Sequence, residues 1–156
     1  MKVADFMIHD VITVHSDTPI KELLKLLIEH NIGGVPVVDG EDKLIGMVSD
    51  GDIIRYLSPR EEAVHDLFFT VYVEKGETAQ EVLDRKMDKP VTEMMRKKHL
   101  YTVNKDDDFE VALRLLSQHH FKKLPVVDAD GKVIGVISRG DIIHNLSKMI
   151  ISRKKN

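Results

Sequence analysis

The sequence predicts an α+β fold of the α/β type, made of two β-α-β-β-α repeats packed sheet to sheet about a pseudo-two-fold axis. Three observations carry that prediction. Residues 13–57 align with 102–146 at a constant shift of 89 without a gap, with about 20 of the 45 positions identical, and a repeat of that period defines a structural unit. Each copy also alternates strand and helix periodicity in the same order. Finally, a unit of about 50 residues buries too little surface to stand comfortably alone, so the two copies are expected to share an interface.

In the first copy, residues 11–14 read as a short strand, and Thr18-Pro19 opens a helix in which Ile20, Leu23, Leu24, Leu27 and Ile32 keep helical spacing. Residues 31–34 break that helix. The β-branched run 35–38, the turn Asp39-Gly40-Glu41-Asp42 and the return strand 44–48 form a hairpin, and a second helix covers about 50–57. The second copy repeats this with strands at 100–103, 124–127 and 133–137 and helices over about 107–120 and 139–150. The chain therefore divides into repeat 1 (1–58), a connector (59–90), repeat 2 (91–150) and a basic tail (151–156). The connector holds Leu67, Phe68, Phe69, Val71, Tyr72 and Val73 and is too apolar for a plain linker. A helix is expected over 78–86, and the segment is expected to cover a sheet edge or a dimer surface.

Composition excludes several classes. The 156 residues are 42% hydrophobic and 31% charged, as in a folded soluble protein, and 23 Lys plus Arg against 26 Asp plus Glu leave no basic surplus for a phosphate backbone. The absence of cysteine removes disulfides, thiolate metal sites and a cysteine nucleophile. With no uninterrupted apolar region at the N-terminus and no stretch approaching a membrane span, a cytoplasmic location is expected. The motifs G-x-S-x-G, G-x-G-x-x-G and the Walker loop do not occur.

Two stretches stand out in both copies: V-P-V-V-D against L-P-V-V-D (Pro36, Pro125), and L-I-G-M-V-S-D-G-D-I-I against V-I-G-V-I-S-R-G-D-I-I. Together with the lead-ins Asp5-Phe6-Met7 and Glu93-Met94-Met95, they resemble a tandem pair of cystathionine β-synthase (CBS) domains, a Bateman module, over nearly the whole chain. The resemblance implies a regulatory module without catalysis. It would bind an adenosine-containing ligand (AMP, ADP, ATP or S-adenosylmethionine) in clefts between the repeats, assemble as a disc-like homodimer, and act on a partner protein still to be identified.

On their own evidence, Ser49 and Asp52, and likewise Ser138 and Asp141, fit a helix N-cap with an acidic first turn. They can also serve a ribose site, since one ionised carboxylate accepts both hydroxyls of a vicinal diol and the helix N-terminus faces an anion. The resemblance assigns these four to ribose. Gly51 and Gly140 fit either a tight turn or a close ligand approach. The resemblance also brings residues of one repeat to the ligand held by the other, so Ser49 and Asp52 pair with Lys122, Lys123 and Tyr101. Ser138, Arg139 and Asp141 then pair with Ile12, Gly33, Gly34 and Val35. Lys122, Lys123 and Arg139 are the candidate phosphate contacts, while Ile12, Gly34, Val35, Tyr101 and Leu124 are the candidate adenine pocket. Lys122 and Lys123 also fit a solvated helix end, and Tyr101 a half-buried strand residue.

The eight histidines show no ligand spacing, so no metal site is expected; His15 and His144 fall near the clefts but read first as surface residues. Asp106-Asp107-Asp108 reads as the acidic opening of a helix. The rival functional class is a structural dimerisation scaffold with a vestigial, empty cleft. A DNA-linked regulator using the basic tail is disfavoured by the overall acidity.

Overall fold

A computed structural model of the chain describes residues 1–119 and 121–154. His120, the expected end of a helix, and Lys155 and Asn156 of the expected tail lie outside the described residues. The first repeat runs β1 (Val14–His15), α1 (Ile20–His30), β2 (Gly34–Val38), β3 (Leu44–Ser49) and α2 (Asp50–Leu57). The connector contains β4 (Ala63–Leu67), β5 (Thr70–Glu74) and α3 (Ala79–Lys86). The second repeat follows as β6 (Val103–Asn104), α4 (Phe109–His119), β7 (Lys123–Val127), β8 (Val133–Ser138) and α5 (Arg139–Arg153).

Each repeat builds a three-stranded sheet, β1-β2-β3 and β6-β7-β8, with the first pair parallel and the second antiparallel. The opening strands are shorter and later than the periodicity predicts, because only Val14 and His15, and Val103 and Asn104, find ladder partners. α1 ends where Asn31 enters the left-handed region at φ 50°, which asparagine tolerates. α5 continues to Arg153, so residues 151–153 of the segment expected as tail are helical.

The two hydrophobic cores are not made from contiguous sequence. Val3 and Phe6 pack into the core of the second repeat, where Phe6 stacks on Phe109 at 4.0 Å. Val91 and Met94 pack into the core of the first. Each repeat thus closes over the lead-in of the other. Backbone bonds fix the exchange: Ile8 and Val136 pair reciprocally (2.8 and 3.1 Å), as do Met47 and Arg96 (3.0 and 2.8 Å). These matched contacts express the pseudo-two-fold axis, and the two hairpin turns meet where Lys43 bridges Lys132.

Gly46 and Gly135 make that crossing sterically possible. A Cβ on Gly46 would lie 2.6 Å from Met95 Sδ and 3.1 Å from the Arg96 carbonyl, and one on Gly135 would lie 2.9 Å from both Met7 Sδ and the Ile8 carbonyl.

The acidic run opening α4 is used locally. Asp107 Oδ2 accepts from the Asn104 N–H at 2.8 Å, and Asp108 pairs with Lys2 at 2.7 Å. In the connector, Thr78 and Glu81 form a reciprocal capping box at the start of α3, and Val82 is buried. Lys86 donates to the Tyr56 carbonyl and sits 4.1 Å over its ring, while the Tyr56 hydroxyl bonds Glu93, tying α2 and α3 to the second lead-in. Burial, and then that bond to Glu93, push the Tyr56 hydroxyl up to about 12.

Candidate functional site

Where β3 turns into α2, Ser49 takes an extended conformation and caps the helix. Its Oγ accepts from the Asp52 N–H, and Asp52 Oδ2 accepts from the Ser49 N–H (2.9 Å) and hydroxyl (3.0 Å). Asp52 Oδ1 accepts from Arg55 at 2.8 Å. The carboxylate is only 20% exposed and held at the edge of a cavity, whereas Arg55 is 72% exposed. An exposed ion pair of this kind is worth at most about 1 kcal/mol, so Arg55 is readily exchanged for another donor. The capping and ligand-binding readings of Ser49 and Asp52 are therefore compatible in one geometry.

The cavity encloses about 320 Å³, at the lower end of the roughly 300–1,000 Å³ typical of small-molecule sites. One wall is the β3–α2 corner from Met47 to Asp52 together with Arg55; the other is Phe121, Lys122 and Lys123, reached from the second repeat. Arg96 enters from the exchanged lead-in, its guanidinium 4.6 Å over the Phe121 ring. Arg55, Arg96, Lys122 and Lys123 stand against Asp50 and Asp52, which makes the lining net cationic. Lys122 reaches across the repeats to Asp50 at 3.3 Å, and Lys123 lies 3.5 Å from the Gly34 carbonyl. Burial pushes the Lys123 ammonium below its ordinary pKa, partly opposed by Asp141 and Asp50. An anion in the cavity would relieve that penalty.

Ser49, Asp52, Lys122 and Lys123 are thus brought into one cavity. Gly33 and Gly34, expected beside Asp141, line this same cavity, and a Cβ on Gly34 would fall 2.7 Å from the Val48 carbonyl. Tyr101 stacks on His119 (4.2 Å) and lies tilted against Phe121 (5.4 Å), outside the lining of the cavity. Val35 and Leu124 are fully buried in the two cores, and Ile12 packs against the first. At the matching corner of the second repeat, Ser138 caps α5 and its hydroxyl donates to Asp141. Arg139 turns away, with its Nε donating to the Phe121 carbonyl at 2.7 Å. His15 and His144 are exposed. Among the described residues no group of three or more His, Asp or Glu is arranged to hold a metal, and no helix is long and apolar enough to cross a membrane.

Sequence reasoning missed Arg96, Phe121 and Arg55. Arg55 lies one helical turn beyond Asp52, and Phe121 immediately precedes Lys122-Lys123; those spacings were the available signal. Arg96 lies 44 residues from Asp52 in sequence and reaches the cavity only through the exchange of lead-ins.

The CBS domain family model matches residues 3–59 and 91–148. The chloroplastic CBS domain-containing protein CBSX2 of Arabidopsis thaliana is 34% identical over 148 residues, 91% of this chain, and the chain spans 62% of that relative's length. A crystal structure of CBSX2 in complex with AMP superposes with a TM-score of 0.72 and 29% identity over 95% of this chain and 97% of that one. The CBS domain pair of protein MJ0100, solved with 5′-methylthioadenosine and S-adenosyl-L-methionine, gives 0.70 and 27% over 94% and 99%. The chain belongs to the CBS domain family, in the tandem arrangement known as a Bateman module.

Proposed function

We propose that this pair is a ligand-sensing regulatory module that binds an adenosine-containing ligand in the Asp52 cavity and works by binding alone. The observation that carries the proposal is the single cavity in which an acidic group suited to a diol, a cluster of cations and an aromatic ring come from different repeats. Asp52 and Ser49 would take the ribose hydroxyls, with Asp52 exchanging Arg55 for them. Lys122, Lys123 and Arg96 would meet phosphate charge, and Phe121 offers a face for the base. Asp141 and Ser138, at the matching corner of the second repeat, would offer a second and weaker ribose position. The related complexes with AMP and with S-adenosyl-L-methionine support the ligand class.

Because the walls come from both repeats, a bound ligand favours one relative orientation, and the signal is bounded by its differential affinity for the two. Micromolar to millimolar affinities correspond to about −8 to −4 kcal/mol. The output passes to a partner protein, or through association of the chain with itself as a homodimer.

A thermal-shift titration with AMP, ADP, ATP, S-adenosylmethionine and NAD tests this on wild type, Asp52→Ala and Asp141→Ala. Ligand at 100 times its dissociation constant adds about 2.7 kcal/mol, a rise of roughly 5–10 °C for a chain of this size. The rise is expected to disappear in Asp52→Ala. No response to any of the five at millimolar concentration refutes the proposal and leaves a scaffold with an unused cleft.

A further inference from the structure

Of the two carboxylates that line the cavity, Asp52 has a role toward ribose and Asp50 has none. Asp50 opens α2, where the helix dipole favours an acid. The dipole alone does not account for it, because at the constant shift of 89 the same position of α5 is Arg139, and that helix starts equally well. The backbone is matched in the two repeats: the Asp50 N–H donates to the Gly33 carbonyl at 2.7 Å, and the Arg139 N–H to the Lys122 carbonyl at 3.1 Å. The side chains diverge. Asp50 Oδ1 accepts from the Gly51 N–H at 2.7 Å, and its two carboxylate oxygens lie 3.4 and 3.3 Å from Lys122 Nζ of the other repeat. A helix N-terminal N–H and a lysine are the donors that a phosphate at this corner would use, and here a carboxylate of the chain itself takes both.

That contact changes the charge the cavity can offer. Arg55 is paired with Asp52 and Lys122 with Asp50, so of the lining cations Arg96 and Lys123 have no carboxylate partner among the described residues. Two positive charges complement one phosphate monoester, which carries about −1.5 to −2 at neutral pH. Arg55, once ribose has displaced it, is 72% exposed and its charge is screened by solvent. Each further phosphate therefore adds negative charge with no free cation inside to meet it. The Asp50–Lys122 pair also stands at the mouth: these side chains are 49% and 71% exposed, against 20% for Asp52. A phosphate chain leading outward from a ribose at Asp52 meets the Asp50 carboxylate, and like charges brought together at a binding surface are strongly unfavourable.

We infer that Asp50 is a specificity-determining residue that restricts the cavity to adenosine ligands bearing a single phosphate, by holding Lys122 and repelling a second and third phosphate. The selection presupposes the ligand site proposed above. Calorimetric titration of the full chain with AMP, ADP and ATP, without magnesium, tests it on wild type, Asp50→Asn and Asp50→Ser. Both variants keep an oxygen to accept from the Gly51 N–H and remove only the charge, and the second stands in should the first fail to fold. Wild type is expected to bind AMP about tenfold or more tighter than ATP, with ADP between. In the variants the gap is expected to narrow to a few-fold, chiefly because ATP binds more tightly. An AMP preference that survives undiminished in the neutral variants overturns the inference, and so does a wild type that binds ATP as tightly as AMP. In both of those outcomes nucleotide still binds, so the ligand site itself stands. No binding of any of the three nucleotides to wild type or variants overturns the ligand site and this inference together.

Discussion

Replacing Gly135 by alanine should damage the interlock between the repeats more than the same change at Gly46. At Gly135 the new methyl meets the Ile8 carbonyl at 2.9 Å, a backbone atom that also accepts from the Val136 N–H at 3.1 Å. Relief requires Ile8 to move off the strand, loosening both bonds of the Ile8–Val136 pair. At Gly46 the nearest atom is the flexible Met95 thioether, and the Arg96 carbonyl stands at 3.1 Å, where a few tenths of an ångström suffice. Overpacking costs about 1–3 kcal/mol and a strained hydrogen bond about 0.5–1.5. A β-strand glycine returns roughly 0.5–1 kcal/mol when it becomes alanine. The net expectation is about 2–3 kcal/mol for Gly135→Ala and about 1 for Gly46→Ala on the same grounds. Urea unfolding at neutral pH measures both, and at roughly 2–4 °C per kcal/mol the melting temperatures should separate visibly. A Gly135→Ala variant within 0.5 kcal/mol of wild type, or a costlier Gly46→Ala, would refute the argument that the crossing is sterically tight. The milder variant carries its own signature: displacing Arg96 should weaken anion binding in the Asp52 cavity, which Gly135→Ala leaves intact.

Asp52→Asn keeps an acceptor for the Ser49 cap but removes the charge, so it should lose ligand tenfold or more with little change in stability. Asp52→Ala should lose both ligand and about 1 kcal/mol; calorimetric titration with melting curves separates the two effects. Phe121→Ala should weaken nucleotide binding severalfold and Arg96→Ala about tenfold or more, and only Arg96→Ala should flatten the salt dependence of the affinity. Stability should also fall at acid pH. Asp39 is held below its ordinary 3.8 by the N–H groups of Glu41 and Lys43, Asp108 is lowered by Lys2, and Glu77 is lowered to about 2 by Arg85. Folded-state pKa values below the unfolded ones stabilise the protein above the ordinary carboxylate range, and that contribution is lost as pH falls toward 2. Urea midpoints at pH 7, 4 and 2.5 should decline in that order, and Asp39→Asn should flatten the step between pH 4 and 2.5.

The repeat was legible because duplication writes each element twice, and a β-branched run followed by Asp-Gly or Asp-Ala-Asp-Gly admits few structures. The Ser49–Asp52 corner was legible for the same reason, since the physics that caps a helix also presents a carboxylate at its mouth. The hairpin was not anticipated although Val64, Asp66 and the alternation through Val71 and Val73 are strand-like, because exposed apolar residues carry no inside and outside for a period-two pattern to follow. The exchange of lead-ins was hidden for a different reason. Val3 and Val91 sit next to their own repeats in sequence, and only the closed packing at Gly46 and Gly135 shows that each serves the other.

That exchange also decides how many ligands one chain should hold. At the matched shifts of the duplication, Arg96 answers to Ile8, Arg55 to His144, and Phe121 to Ile32. Each of the three groups that sequence reasoning missed in the Asp52 cavity therefore has a histidine or an aliphatic residue as its counterpart at the Asp141 corner. Arg139, the one cation gained there, is turned to the Phe121 carbonyl. A cation facing a phosphate contributes on the order of 1.5–3 kcal/mol through charge-assisted bonds, so the loss of Arg96 alone separates the sites by about tenfold or more. A phosphate-bearing ligand should titrate at one equivalent per chain, while a ligand with little negative charge should not discriminate as sharply. Two equal phosphate sites in a calorimetric titration would show that Lys122 and Lys123 supply the phosphate contacts to both clefts and that Arg96 does not matter.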